Sequence, residues 1–254
     1  MSAEPILVLD GVAKTFVNLA GQPVHALRPT SLAVHPGEIV AVVGESGSGK
    51  TTLGRIALGI IAPDTGSVRV QGRDWTHMGA AERRGMRAIV QPIFQDPTTS
   101  LNPRRSVRSL LRQASWPHAG GHEQLALDLL GSVGLKPAQD FLDRYPHELS
   151  GGQRQRLAIA RALAMQPSVI VADEPLSGAD VSVRGQVLNL LLDIRRTRNV
   201  SYLMITHDIS IARHFADRVA VMRNGEIVEE GTAESVMSQP GHEYTRALLR
   251  AASR

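Results

Sequence analysis

Cysteine is missing altogether from the 254 residues. Its absence excludes disulfides, thiolate zinc sites, cysteine-ligated iron–sulfur clusters and a cysteine nucleophile, and it agrees with a reducing compartment. Aromatic residues make up only 4% of the chain, too few for the stacked platforms that hold single-stranded nucleic acid, so no nucleic-acid partner is expected. No apolar run approaches the roughly 18 residues needed to cross a bilayer. The longest candidates, 39–43 and 187–192, have the lengths of a buried strand and a helix face. The opening Met1-Ser2-Ala3-Glu4-Pro5 lacks the basic and then apolar pattern of a secretory signal, so none is expected. There is no internal repeat and no low-complexity tract.

Hydrophobic residues reach 43% and charged residues 20%, enough apolar material for one large α/β domain or two small ones. The net charge of +4 suits a solvated basic surface or attraction to phosphates and does not choose between them. Strand-like and helix-like segments alternate, which argues for an α/β architecture. Strands are expected at 6–9 and 31–34, and 39–43 reads as a fully buried parallel strand. A helix is expected from Lys50 to about Ile60, stopped by Pro63. From about Gln95 to Met165 apolar residues fall at helical spacing, as in Leu125, Leu129 and Leu130, and strand-like runs disappear. Within this mainly helical insertion, Trp116-Pro117-His118-Ala119-Gly120-Gly121-His122 reads as a loop; its two histidines lack the further ligands a metal site needs. Strands return at 169–172, 202–205 and 219–222, alternating with helices at 183–195 and 209–215. Asn224-Gly225 is a hairpin turn joining 219–223 to 226–229.

Two short motifs carry chemistry. Gly44-Glu45-Ser46-Gly47-Ser48-Gly49-Lys50-Thr51 has the spacing of a phosphate-binding loop and stands between a buried strand and a helix, the context such a loop requires. Its glycines let backbone N–H groups surround phosphate oxygens, and the helix adds its positive end. Lys50 is then expected to reach the β- and γ-phosphates, the Thr51 hydroxyl to take Mg²⁺, and Thr52 to continue the cradle. The second motif is the apolar run Val169-Ile170-Val171-Ala172 ending in Asp173-Glu174. A parallel strand delivers ligands from its carboxyl end. Asp173 is thereby placed to hold Mg²⁺ through water, and Glu174 to polarise the attacking water. Two acids after a strand could also merely cap the next segment; a phosphate loop elsewhere in the chain makes that the weaker reading.

Leu149-Ser150-Gly151-Gly152-Gln153-Arg154-Gln155-Arg156 resembles the signature sequence of the ATP-binding cassette (ABC) family, and it lies about 20 residues before Asp173, as in that family. Ser150 is a good N-cap, and the exposed N–H groups behind it, with Gly151, Gly152 and Gln153, offer a second phosphate cradle. The resemblance spans almost the whole chain. It implies a P-loop NTPase core with a mostly parallel sheet and flanking helices, an N-terminal antiparallel β-subdomain and an inserted α-helical subdomain. In residues, it implies one ATPase domain over 1–254, with 1–95 and 166–254 forming the core and β-subdomain and 96–165 the helical subdomain that carries the signature.

The same resemblance implies ATP and Mg²⁺ as ligands. It also implies that Gln95, in Phe94-Gln95-Asp96-Pro97, contacts Mg²⁺ and the attacking water, with Gln91 a nearby competitor. His207 corresponds to the histidine at the γ-phosphate, Phe16 to the aromatic under adenine, and Asp180 to the aspartate that crosses between two cassettes. Phe16 fits a core position of the N-terminal sheet equally well. The implied partners are a second cassette meeting this one head to tail, two transmembrane permease subunits and, indirectly, a solute-binding protein, at the cytoplasmic face of the membrane. The tract from Gln95 to Pro103 and the tail His242-Glu243-Tyr244-Thr245-Arg246-Ala247-Leu248-Leu249 are similar to the peptide/nickel importer branch and related metallophore importers. An ATPase of a soluble enzyme assembly would carry the same motifs; a nucleotide switch with negligible turnover is the other alternative, and the presence of both Glu174 and His207 argues against it.

Three features depart from the family pattern. Ser177-Gly178-Ala179-Asp180 replaces the usual S-A-L-D. Pro92 cannot donate to a sheet ladder, so an edge, a bulge or a strand end is expected there. The chain also shows no cysteine-rich tract after its tail.

Overall fold

The computed structural model describes residues 4–115, 122–177 and 181–252, with only the backbone of 80, 81 and 181–183. Two sheets frame the molecule. The first is antiparallel, in the order β2-β1-β4-β5, built from β1 (Leu7–Val17), β2 (Pro23–Val34), β4 (Thr65–Val70) and β5 (Arg73–Asp74). The second runs β10-β9-β3-β8-β7-β6, from β3 (Ile39–Val43), β6 (Val90–Ile93), β7 (Val169–Asp173), β8 (Ser201–Thr206), β9 (Arg218–Arg223) and β10 (Glu226–Thr232). All its pairings are parallel except the β9–β10 hairpin, which turns on Asn224-Gly225 as expected.

The unbroken apolar runs of β3, β7 and β8 have a direct physical cause: both faces of this sheet are covered. Val40, Val42, Val171, Leu203 and Ile205 join Leu7, Leu9, Leu53 and Ile56 in a core shared with the antiparallel sheet and helix α1 (Lys50–Ala57). On the other face, Ile170, Ala172, Tyr202 and Met204 pack with residues of the helical segment: α3 (Val107–Ala114), α4 (His122–Ser132) and α5 (Gly151–Leu163). Ala41 and Val43, on that same side, meet α7 (Ile209–Phe215), α8 (Ala233–Ser238) and α9 (Glu243–Ala252). Helix α6 (Val181–Arg198) leads from β7 to β8, and Val187, Leu191 and Ile194 tuck into the larger cluster.

Several sequence expectations are corrected. α1 ends at Ala57 rather than near Ile60, because Gly59 takes a left-handed backbone (φ 61°) and closes the helix before Pro63 can act. β1 and β2 are far longer than 6–9 and 31–34; register shifts between Leu9 and Val12 and again near Lys14 break the alternation that would have marked the full strands. β4, β5 and α2 (Ala80–Ile89) were not foreseen. Pro92 lies in β6, the edge strand of its sheet, one of the positions expected for a residue that cannot donate to a ladder. Residues 116–121 of the expected loop lie outside the described residues.

Candidate nucleotide site

The functional side chains gather at the carboxyl ends of three adjacent parallel strands. Val43 of β3 pairs with Thr206 of β8, and Asp173 of β7 pairs with Ile205 of β8. The turn 44–49 therefore follows β3 at the same edge where Asp173-Glu174 and His207 emerge. This is the edge at which open α/β sheets bind ligands.

The loop is held from several sides. Lys50 is buried with its Nζ folded onto the loop backbone, donating to the carbonyls of Gly44 (2.8 Å) and Glu45 (2.7 Å). Burial lowers the Lys50 pKa, and the carboxylates of Glu174, Asp173 and Glu45 act in the opposite sense. From behind, the hairpin turn buttresses the loop: Gly225 N–H donates to the Ser48 carbonyl (2.9 Å), while the Gly225 carbonyl accepts from the Arg28 N–H (2.9 Å). Gly49 sits at φ 105°, and a Cβ there would lie 2.5 Å from the Ala26 carbonyl oxygen, so this close approach of β2 to the loop requires glycine. Glu45, Ser46, Gly47 and Thr51 are exposed along the loop, whereas Ser48 is buried and Thr52 half-buried.

Opposite the loop, Thr51 Oγ1 donates to Asp173 Oδ1 at 3.4 Å. A hydroxyl and a carboxylate side by side form the oxygen set a hard cation takes, and two protein oxygens suit Mg²⁺, which completes its shell with phosphates and water. Burial raises the Asp173 pKa above the usual carboxylate range, and neighbouring Glu174 adds to the rise. Glu174 adopts a left-handed backbone (φ 46°), costly for a residue with a Cβ. Its N–H donates to the Ile205 carbonyl (2.8 Å), and its own carbonyl accepts from the Ser177 N–H (3.1 Å). That turn aims the carboxylate at His207, whose Nδ1 lies 3.1 Å from Glu174 Oε1.

Gln95 and the signature occupy a different place. Gln95 Nε2 donates to Ser177 Oγ at 3.0 Å, whereas Gln91 turns back to the Arg87 carbonyl. Gln95, Ser150, Gly151, Gly152 and Ser177 line one cleft of about 460 Å³, which includes no residue of 44–51. Ser150 caps α5 with a reciprocal pair of bonds: its N–H donates to Gln153 Oε1 (2.9 Å), and its Oγ accepts from the Gln153 N–H (3.3 Å). Phe16 is 39% exposed near the end of β1, with the Lys14 ammonium 5.8 Å from its ring centre, so it is a surface aromatic rather than a core residue. Asp180 lies outside the described residues.

Two contacts escaped the sequence reading. Buried Gln155 donates from Nε2 to the Pro175 carbonyl (2.8 Å), tying α5 to the residue after Glu174. The hydroxyl of Tyr244 on α9 accepts from the Glu45 N–H (3.1 Å), so that amide of the loop is already engaged. Both residues stand in tracts quoted above for their family likeness, yet no local pattern gives either a partner.

A family model described as "ABC transporter" matches residues 27–177. The glutathione import ATP-binding protein GsiA of Salmonella paratyphi A is 42% identical over 261 residues; the match covers 99% of this chain, which spans only 42% of GsiA's length. The dipeptide transport ATP-binding protein DppF of Haemophilus influenzae is 44% identical, with 98% of this chain and 79% of that protein covered. Among solved structures, an ATP-binding cassette captured as a dimer in a post-hydrolysis state with ADP and Pi superposes with a TM-score of 0.80 at 29% identity, covering 89% of this chain and 98% of the other.

Proposed function

This chain belongs to the ABC transporter family, and from that premise we propose that it is the ATP-binding and hydrolysing subunit powering an importer for peptides, nickel or a metal–metallophore complex. The observation that carries the ATPase reading is the convergence of Lys50, Thr51, Asp173, Glu174 and His207 at the ends of three neighbouring parallel strands. Importer relatives such as DppF support the transport reading.

In this reading the loop 44–51, with Thr52, cradles the phosphates, and Lys50 exchanges its backbone carbonyl partners for phosphate oxygens. Thr51 and Asp173 would hold Mg²⁺, which would supply charge neutralisation at the phosphates, and Gln95 would join them on leaving the Ser177 hydroxyl. Glu174 accepts a hydrogen bond from the attacking water and draws its proton density away. His207 is fixed through Nδ1, which leaves its other ring nitrogen, on a side chain 61% exposed, for the γ-phosphate. Phe16 stacks on the adenine. Catalysis then rests on positioning and charge stabilisation rather than on covalent chemistry.

The signature cradle at Ser150, Gly151, Gly152 and Gln153 serves a second cassette. It opens on a cleft that contains no phosphate-loop residue of its own chain, so a head-to-tail partner gives it a γ-phosphate to cover. The partner is a paralogue or a second copy. The helical segment 96–165 and Gln95 convey closure to two permease subunits at the cytoplasmic face of the membrane, supplied by a solute-binding protein. Among the described residues no helix is long and apolar enough to cross a membrane, which agrees with a peripheral subunit.

The deciding experiment is a gentle pull-down of the tagged protein from solubilised native membranes, followed by mass spectrometry. Two multi-spanning permeases and a second cassette are expected. A soluble enzyme assembly with no membrane protein would retain the ATPase and overturn transport.

A further inference from the structure

We propose that Tyr244 is a positioning residue for the phosphate loop: its hydroxyl holds the Glu45 N–H and so fixes the carbonyl that receives the Lys50 ammonium. The proposal rests on the reading of 44–51 as the nucleotide loop.

Glu45 is gripped at both ends of its backbone. Its N–H donates to the Tyr244 hydroxyl at 3.1 Å, and its carbonyl accepts from Lys50 Nζ at 2.7 Å and from the Ser48 N–H at 3.2 Å. On this exposed stretch of loop, Tyr244 is the tether that comes from the far end of the chain. Its hydroxyl engages the amide of the second residue after β3 and leaves the glycine-rich turn beyond it to face a ligand.

The tyrosine is itself firmly seated. It is 7% exposed, and its ring packs in the cluster of Ala41, Val43, Val219 and Val221. The Arg223 guanidinium lies 4.8 Å from the ring centre on another side. Ahead of it, the Glu229 carboxylate accepts from the Gly241 N–H (2.7 Å) and the His242 N–H (3.0 Å), and His242 Nδ1 accepts from the Tyr244 N–H (3.1 Å). Burial would raise the Glu229 pKa, but these hydrogen bonds from the Gly241 and His242 amides act the other way, and the carboxyl is held below its usual value. An ionised Glu229 thus pins the start of α9, α9 presents Tyr244, and Tyr244 sets the loop. A tyrosine serving only as core filler would need its ring and not its hydroxyl.

Tyr244→Phe separates the two roles, since it keeps the ring and the Arg223 contact and removes only the acceptor. The expected result is a rise in KM for Mg-ATP of about threefold to tenfold, the span of one neutral hydrogen bond. The loss should fall on KM rather than kcat, with the melting temperature moving by less than about 2 °C. Hydrogen exchange at the Glu45 amide, followed in the same two proteins, should quicken by a similar factor. Identical KM and identical Glu45 exchange in parent and variant overturn the proposal. A parent chain that binds no Mg-ATP overturns the nucleotide reading and this role with it; a parent that binds and a variant that matches it overturns this role alone.

Discussion

His207 Nδ1 and Glu174 Oε1 stand 3.1 Å apart, joining the end of β8 to the end of β7. The contact depends on the left-handed backbone of Glu174, which the Ile205 carbonyl on the neighbouring strand holds in place. A strained residue anchored in this way directs one carboxylate to one spot, a feature typical of groups that must meet a reacting atom.

Glu174→Gln keeps the size and the hydrogen-bonding capacity but removes the charge that polarises water. ATP hydrolysis should fall at least about a hundredfold, the contribution of one positioned base. ATP binding should persist. Phosphate release and equilibrium nucleotide titration measure the two separately, and near-normal turnover would remove Glu174 from the chemistry.

Lys50→Ala acts earlier. The ammonium is buried and bonded to two loop carbonyls, so its loss takes away both a phosphate ligand and a tie across the loop. Nucleotide affinity should drop by about tenfold to a hundredfold, the range for hydrogen bonds to charged groups. A fluorescent-nucleotide titration with unaltered affinity would mean that the loop's backbone alone carries binding.

Where burial was uniform, the sequence was readable. The runs at 39–43, 169–172 and 202–205 are apolar at every position because helices or the second sheet cover both faces, and each proved to be a strand of the parallel sheet. The motifs at Lys50 and Asp173 were found because glycine spacing and strand ends are local features, whereas His207 was identified through the family resemblance. β1 and β2 were truncated because bulges break their two-residue period. α2 was hidden because Glu82, Arg83, Arg84 and Gly85 fill its middle and leave a short apolar face, with Met86 and Ile89 at its end, to mark the buried side. Neither the Glu45–Tyr244 bond nor the Gln155–Pro175 bond has any local signature, since each joins residues distant in sequence.

Asp173 offers a test through stability. Burial raises its pKa, so the fold disfavours the ionised form; this penalty is present above the folded-state pKa and is relieved as pH falls through it. Asp173→Asn should therefore raise the melting temperature at neutral pH without nucleotide by about 2 °C, the scale of a sub-kcal/mol gain in a chain of this size. Hydrolysis should be lost at the same time. The stability gain should shrink on acidification, as the parent carboxyl becomes protonated. A variant that melts below the parent at every pH would show that Thr51 and the surrounding dipoles already compensate the charge.

The last prediction concerns how the signature helix reaches the catalytic acid. Gln155 on α5 donates to the carbonyl of Pro175, the residue following Glu174, and the amide is buried. Gln155→Ala leaves that carbonyl without its partner and should cost about 1–3 kcal/mol. In urea this reads as a lower midpoint with an unchanged slope, because the folded state loses a bond without changing the surface exposed on unfolding. Pro175 and Glu174 share a peptide unit, so slack at Pro175 should also misplace the carboxylate and slow hydrolysis severalfold, although Gln155 touches no reacting atom. Stability and turnover then fall together in Gln155→Ala, whereas Glu174→Gln loses turnover alone. If the midpoint falls but turnover per folded molecule holds, the Gln155 bond supports the fold only, and movement of the signature helix reaches the acid by another route.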